Sequence, residues 1–240
     1  VRLHNYHLRL WGQPGQQPPL VLVHGWMDVA ASWQFMVDAL SPDFLADRLV
    51  IAPDWRGFGH TTGPACDHYC FADYLGDLEG LLDHYSLGQP VDLLGHSMGG
   101  NVVMMYAGTR PERIRRLINL EGFGLPATEP QQAPARYAQW LDDLKALQQG
   151  ELGLRSYDNL DAVAARLMKT NPRLPADQAT WLAQHWSEAR TDENGQTRWH
   201  LLGDNAHRVV NSQLFRVEEL LALYGGITAP TLVVQASDSQ

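Results

Sequence analysis

Through the first half of the chain, short apolar runs alternate with amphipathic stretches. Residues 3–11, LHNYHLRLW, alternate loosely between apolar and polar and predict an edge strand or hairpin arm. Gly12 to Pro19 is a turn-rich break. Leu20–Val23, Leu49–Ala52 and Val91–Leu94 are short runs of the kind that suit strands buried on both faces of a parallel sheet. Ile114–Leu120 predicts a fourth strand. Between them, helices are predicted over Ser32–Leu40, with Ser32 as N-cap, and over Phe71–Tyr85. In the latter, Tyr74, Leu78, Leu81, Leu82 and Tyr85 share one face. A third helix covers Asn101–Gly108. Strand–helix alternation of this kind implies right-handed crossovers and a sheet with helices on both faces.

The alternation then stops. Pro126 to about Asn211 is rich in Gln, Ala, Leu and Trp, with helical stretches around 135–148, 159–169 and 176–189 and no convincing buried strand. It reads as a helical cap over the sheet edge. A helix returns at Val217–Tyr224, and Thr231–Val234 predicts a fifth buried strand. The chain divides accordingly into 1–122, the N-terminal part of an α/β core; 123–213, the cap; and 214–240, the C-terminal part of the core.

Composition narrows the function classes. The 240 residues are 45% apolar and 19% charged, an ordinary globular balance. A net charge of −9 opposes non-specific binding to nucleic acid and to anionic membrane surfaces. No stretch reaches the ~18 apolar residues of a membrane span, and no signal peptide is visible. The expected partner is therefore a small-molecule substrate, with no nucleic acid and no membrane. Self-association is left open, and the cytoplasm is the default location. Cys66 and Cys70 make no disulfide framework, and with His60 and His68 they match no zinc spacing. They read as thiols in a polar loop. No metal and no cofactor is expected.

The candidate chemistry lies at Gly95-His96-Ser97-Met98-Gly99, a G-x-S-x-G pattern. Alone it is weak. Here a buried strand runs into it and a helix of small and apolar residues leaves it, the setting a nucleophile elbow requires. Glycines at 95 and 99 remove side chains that would clash where strand and helix close together, and Gly100 adds room. The alternative is a helix-capping serine in a plain strand–helix turn.

With these residues in view, the chain from Leu20 onward resembles the α/β-hydrolase family. The landmarks are His24-Gly25-Trp26, Asp54-Trp55-Arg56-Gly57-Phe58-Gly59, Gly95-His96-Ser97-Met98-Gly99-Gly100 and Ala229-Pro230-Thr231-Leu232-Val233-Val234, in the family's order. His24-Gly25-Trp26-Met27-Asp28 with Ser32-Trp33 resembles the serine-hydrolase-like, capped esterase-type subgroup. The resemblance implies an α/β-hydrolase fold, with the cap inserted after the family's sixth strand. It implies Ser97 as nucleophile and the backbone N–H groups of Trp26 and Met98 as oxyanion hole. His24, Asp54 and Arg56 are expected to fix loops, and His96 is not expected to be the base.

In the family's order the acid follows the serine and the histidine follows the acid. Asp238, just past Thr231–Val234, is the favoured acid, and Glu121, at the end of the preceding strand, is the alternative. Outside a triad, Glu121 would be a helix-capping or loop-closing carboxylate. None of the ten histidines follows Asp238. The resemblance therefore implies that part of the core, with the catalytic histidine, lies beyond residue 240. A Ser97–Glu121–His207 triad is conceivable but disfavoured, because His207 sits where the cap rejoins the core.

The expected reaction is hydrolysis of a small carboxylic ester through an acyl-enzyme on Ser97, with cap tryptophans 140, 181, 186 and 199 as candidate lining. A carbon–carbon bond hydrolase or cofactor-free perhydrolase could use the same triad. The absent histidine motivates a third reading, a ligand-binding homologue without catalysis.

Overall fold

The computed structural model describes residues 1–237. Two units emerge, a sheet-centred core and a cap. The core opens with β1 (Leu8–Gly12) and β2 (Leu20–Val23), followed by the short helices α1 (Gln34–Asp38) and α2 (Pro42–Ala46). β3 (Leu49–Pro53), α3 (Phe71–Ser86), β4 (Val91–His96), α4 (Met98–Thr109) and β5 (Ile114–Leu120) continue it. The cap holds α5 (Ala133–Gln148), β6 (Ser156–Tyr157), α6 (Leu160–Thr170), α7 (Ala176–Trp186), β7 (Ser187–Thr191) and β8 (Thr197–Leu201). α8 (Val217–Tyr224) and β9 (Thr231–Val234) return to the core.

The main sheet has the order β1-β3-β2-β4-β5-β9. β1 is antiparallel to β3, and the remaining pairs are parallel. The two-residue period of a strand divides the core. Val21, Val23, Ile51 and Leu93 pack on one face with Leu78 and Leu82 of α3 and Val102 and Val103 of α4. Leu20, Leu22, Val50, Ala52 and Leu94 pack on the other with Ala30, Trp33 and Val37. The α/β layering expected from the apolar runs is present.

Three expectations change. The helix predicted over Ser32–Leu40 is a 3-10 turn at Ala30–Trp33 followed by α1, and Ser32 caps nothing. Its hydroxyl donates to Asp28 instead. The region read as purely helical also holds a three-stranded antiparallel sheet, β6-β8-β7. The helix drawn to 189 stops at Trp186, because Ser187 enters β7. β9 pairs with β5 as the last described strand of the sheet, and Leu232 is 56% exposed among the described residues.

The cap has its own core of Tyr157, Val163, Leu167, Ala179, Leu182 and Ala183. It is tied to the core beside the loop after β3. Gly59 N–H donates to Leu202 O at 2.9 Å, and Asp204 N–H donates to Gly57 O at 2.8 Å. Among the described residues, no helix is long and apolar enough to cross a membrane.

Candidate active site

Ser97 stands between β4 and α4 with φ 51° and ψ −116°, a left-handed backbone that an L-residue adopts only at a cost. Close packing imposes it. A Cβ on Gly95 would overlap the Gly99 carbonyl, and one on Gly99 would lie 2.5 Å from Val23 O and 2.6 Å from His24 O. The sharp turn therefore brings α4 directly against the end of β2. Ser97 N–H donates to Leu120 O at 2.8 Å, which anchors the turn to β5. Among the described residues the Ser97 hydroxyl makes no hydrogen bond and is half-buried.

The turn after β5 completes the scaffold. Asn119, 1% exposed, donates from Nδ2 to Gly122 O at 3.1 Å and accepts from Gly122 N–H at 2.8 Å. Glu121, between them, has φ 57°. Gly122 sits against Gly100 so closely that a Cβ on Gly100 would lie 2.7 Å from Gly122 Cα. Sequence reasoning overlooked Asn119, whose signal was an asparagine three residues before a glycine at a strand end.

The Trp26 and Met98 N–H groups have no protein acceptor among the described residues. Met98 begins α4, so its N–H is also one of the helix's unpaired first donors. Gly25 gives the approach, since a Cβ there would lie 3.2 Å from Ser97 Cβ. Trp26 and Met98 line a cavity of about 190 Å³ with Tyr69, Phe71, Tyr74 and His207.

The tryptophans expected to line the acyl site do other things. Trp181 stacks on His185 at 3.9 Å, Trp199 packs in the cap core, and Trp140 lies edge-on to His68 at 6.1 Å. Trp186 donates from Nε1 to Ser32 Oγ at 2.9 Å. The wall beside Trp26 and Met98 is formed instead by Tyr69, Phe71 and Tyr74 with Ala206, His207 and Val209.

The remaining candidates separate by their partners. His24 is fully buried, and its Nε2 accepts from Trp55 N–H at 2.9 Å while Nδ1 faces Gly25 O at 2.8 Å. Burial pushes its pKa down. Asp54 accepts from His7 Nδ1 at 2.7 Å, Ala30 N–H at 2.7 Å and His60 N–H at 2.9 Å. Burial works to raise its pKa, but these donors outweigh it and hold it low. Arg56 clasps Asp77 at 2.5 Å through Nε and Nη2. All three fix loops in this geometry.

Glu121 accepts from Ala236 N–H, and its own N–H donates to Val234 O at 3.0 Å. Its carboxylate thus closes onto the loop after β9. Asp238 lies outside the described residues. His207 is clamped between Phe58 and Tyr69, with ring centroids 3.8 Å from each. Burial pushes its pKa down to about 4, and its Nε2 has no hydrogen-bond partner. His96 is exposed. Among the described residues, no histidine is hydrogen-bonded to Ser97. Cys66 and Cys70 are free thiols, and no cluster of metal-ligating side chains occurs among the described residues.

A family model described as alpha/beta hydrolase fold matches residues 18–240. The chain is 37% identical over 111 residues to 2-hydroxy-6-oxo-2,4-heptadienoate hydrolase of Pseudomonas putida, a match covering 46% of this chain and 40% of that protein. It is 29% identical over 155 residues to a Drosophila melanogaster protein named "Probable serine hydrolase", covering 62% of this chain and 45% of that one. The matched stretches thus span under half the length of these relatives. Among solved structures, a thioesterase domain from the curacin biosynthetic pathway superposes with a TM-score of 0.79 at 25% identity, covering 99% of this chain and 80% of that one.

Proposed function

The chain belongs to the alpha/beta hydrolase fold family, and from that premise we propose that it is a serine hydrolase cleaving a small carboxylic ester, with Ser97 as nucleophile. The observation that carries the reading is the left-handed Ser97 at a strand–helix junction, flanked by the unpaired N–H groups of Trp26 and Met98. In this reading Ser97 Oγ attacks the acyl carbon. The carbonyl oxygen gains the negative charge and accepts from the two N–H groups, which are already oriented before the reaction. The alcohol leaves, and water releases the acid from the acyl-enzyme.

The proton of Oγ needs a histidine oriented by an acid. We assign the acid to Asp238, since the Glu121 carboxylate is engaged with the backbone of Ala236. His207 is unsuited as base, because burial makes its stacked ring a weak proton acceptor and it has no hydrogen bond to Ser97 among the described residues. The same proposal takes a small molecule as partner and the cytoplasm as location.

A fluorophosphonate probe tests it on the full-length protein. Wild type is expected to be labelled and Ser97→Ala to be blank. A folded wild-type protein that resists labelling would overturn the assignment and favour a ligand-binding homologue. A second reading, carbon–carbon bond hydrolysis on the same serine, is supported by the likeness to the P. putida hydrolase. Turnover of a panel of esters against vinylogous diketones separates the two.

A further inference from the structure

A second cavity of about 360 Å³ adjoins the one at the oxyanion donors, sharing Phe71 and Asn211 with it. It opens between α4, the first turn of α5 and the segment 211–223. Its wall is largely apolar, with Met105, Leu214, Leu220 and Leu223. A further hollow of about 350 Å³ shares Leu214 and Arg216 with it and leads outward past Ala133 and Tyr137. The middle cavity falls within the volume range of small-molecule sites.

Two polar side chains in this apolar wall have unfilled capacity. Asn101, 7% exposed, lies one helical turn after Ser97. Its Nδ2 donates to Ser97 O at 3.2 Å, which assigns the amide orientation, and its buried Oδ1 has no partner. Arg136 is the second. It is half-buried at the fourth residue of α5, where the helix dipole disfavours a cation. Among the described residues no carboxylate pairs with it. The other charges in the wall, Arg216 and Glu219, lie 3.6 Å from each other. In a chain of net charge −9, a guanidinium beside an apolar cavity with no carboxylate partner among the described residues is free to take an anionic ligand. It is placed to receive an anion from inside that cavity, as a planar fork does for a carboxylate.

We propose that the substrate is an ester of an acid with a second, terminal carboxylate. The acyl carbonyl lies at Trp26 and Met98, the apolar chain runs past Phe71 into the second cavity, and the far carboxylate pairs with Arg136. Water adds across the ester bond, releasing an alcohol and a dicarboxylate. The inference rests on the assignment of Ser97 as nucleophile.

The test compares mono-4-nitrophenyl suberate with its neutral methyl diester on the full-length protein. Wild type is expected to favour the acid at least tenfold in kcat/KM. Arg136→Gln is expected to lower that ratio at least tenfold, and Arg136→Lys to retain part of it. A wild-type ratio of one or less, or a ratio unmoved in Arg136→Gln, would overturn the proposal. Calorimetric titration with suberate separates the two readings. If neither ester turns over and Ser97 stays unlabelled, the nucleophile assignment fails, and the calorimetry decides the cavity. Suberate binding lost in Arg136→Gln supports it; no binding to wild type overturns it.

Discussion

The indole of Trp186, at the end of the last cap helix, donates to Ser32 Oγ at 2.9 Å, and Ser32 donates in turn to Asp28. Asp28 also accepts from Val29 N–H at 2.7 Å. The cap is thereby hydrogen-bonded to the loop that carries the Trp26 N–H, whose neighbour Met27 has φ 55°. One serine thus links the last cap helix to the loop after β2.

Trp186→Phe keeps the ring's packing and removes the donor. One neutral hydrogen bond is worth about 0.5–1.5 kcal/mol, so kcat for ester hydrolysis is expected to fall about two- to tenfold with KM little changed. Ser32→Ala should do the same. In the double variant the two effects should not add, since both interrupt one chain of bonds. Steady-state kinetics on the four proteins check this.

Gly99→Ala places a methyl group against two backbone carbonyls, at 2.5 and 2.6 Å. Neither Val23 nor His24 can give way, because both lie in or beside buried β2. The variant is expected to lose at least about 1–3 kcal/mol, the usual cost of overpacking. It should also lose probe labelling at Ser97. Urea denaturation and labelling are the measurements.

Asp77→Asn tests the anchor of the loop after β3. The Asp77 side chain is fully buried and receives Arg56 at two points and the Tyr6 hydroxyl at 2.5 Å. Removing its charge leaves the Arg56 guanidinium, 10% exposed, with Asp73 at 3.3 Å as its remaining counter-charge. Breaking a buried pair outright costs about 3–5 kcal/mol; with Asp73 still in place the loss is expected below that, read as a lower urea midpoint at unchanged slope.

His207 gives the fold a dependence on pH. Its folded-state pKa, about 4, is below the ordinary histidine value near 6.5, so the unfolded chain binds more protons between these limits. Stability should therefore fall as pH drops from about 6.5 towards 4, by on the order of 3 kcal/mol for this group. Asp204 opposes the shift and neighbouring His24 adds to it. His24, itself depressed by burial, contributes in the same direction. His207→Phe should retain the stacking with Phe58 and Tyr69 and flatten the profile over this window. Urea midpoints at pH 7.5, 6 and 5 for both proteins check it.

The misreadings in the cap share one origin. β7 and β8 are joined by Asn194-Gly195, with Gly195 at φ 77°, a hairpin turn signal between runs that alternate only weakly. Their side chains are mostly exposed or half-buried, so the pattern that marks a buried strand was missing. Ser32 had the identity of a helix cap, but Asp28 and Trp186 compete for its hydroxyl. The four cap tryptophans had the composition of a binding pocket. Their placement depends on which cap face meets the core, and periodicity along one helix carries no such information.

The sequence by itself determined the parallel sheet, its flanking helices and the place of Ser97. These depend on local causes: four-residue apolar runs, helical periodicity, and glycines at positions where any Cβ would strike backbone. Tertiary structure alone decided which groups surround that serine. Glu121 reaches Ala236 across 115 residues, Trp186 reaches Ser32 across 154, and Arg136 comes to the wall of a cavity lined by Asn101 and Leu220. Such contacts arise when separate elements pack. Their partners are chosen by three-dimensional proximity, which spacing along the chain does not encode.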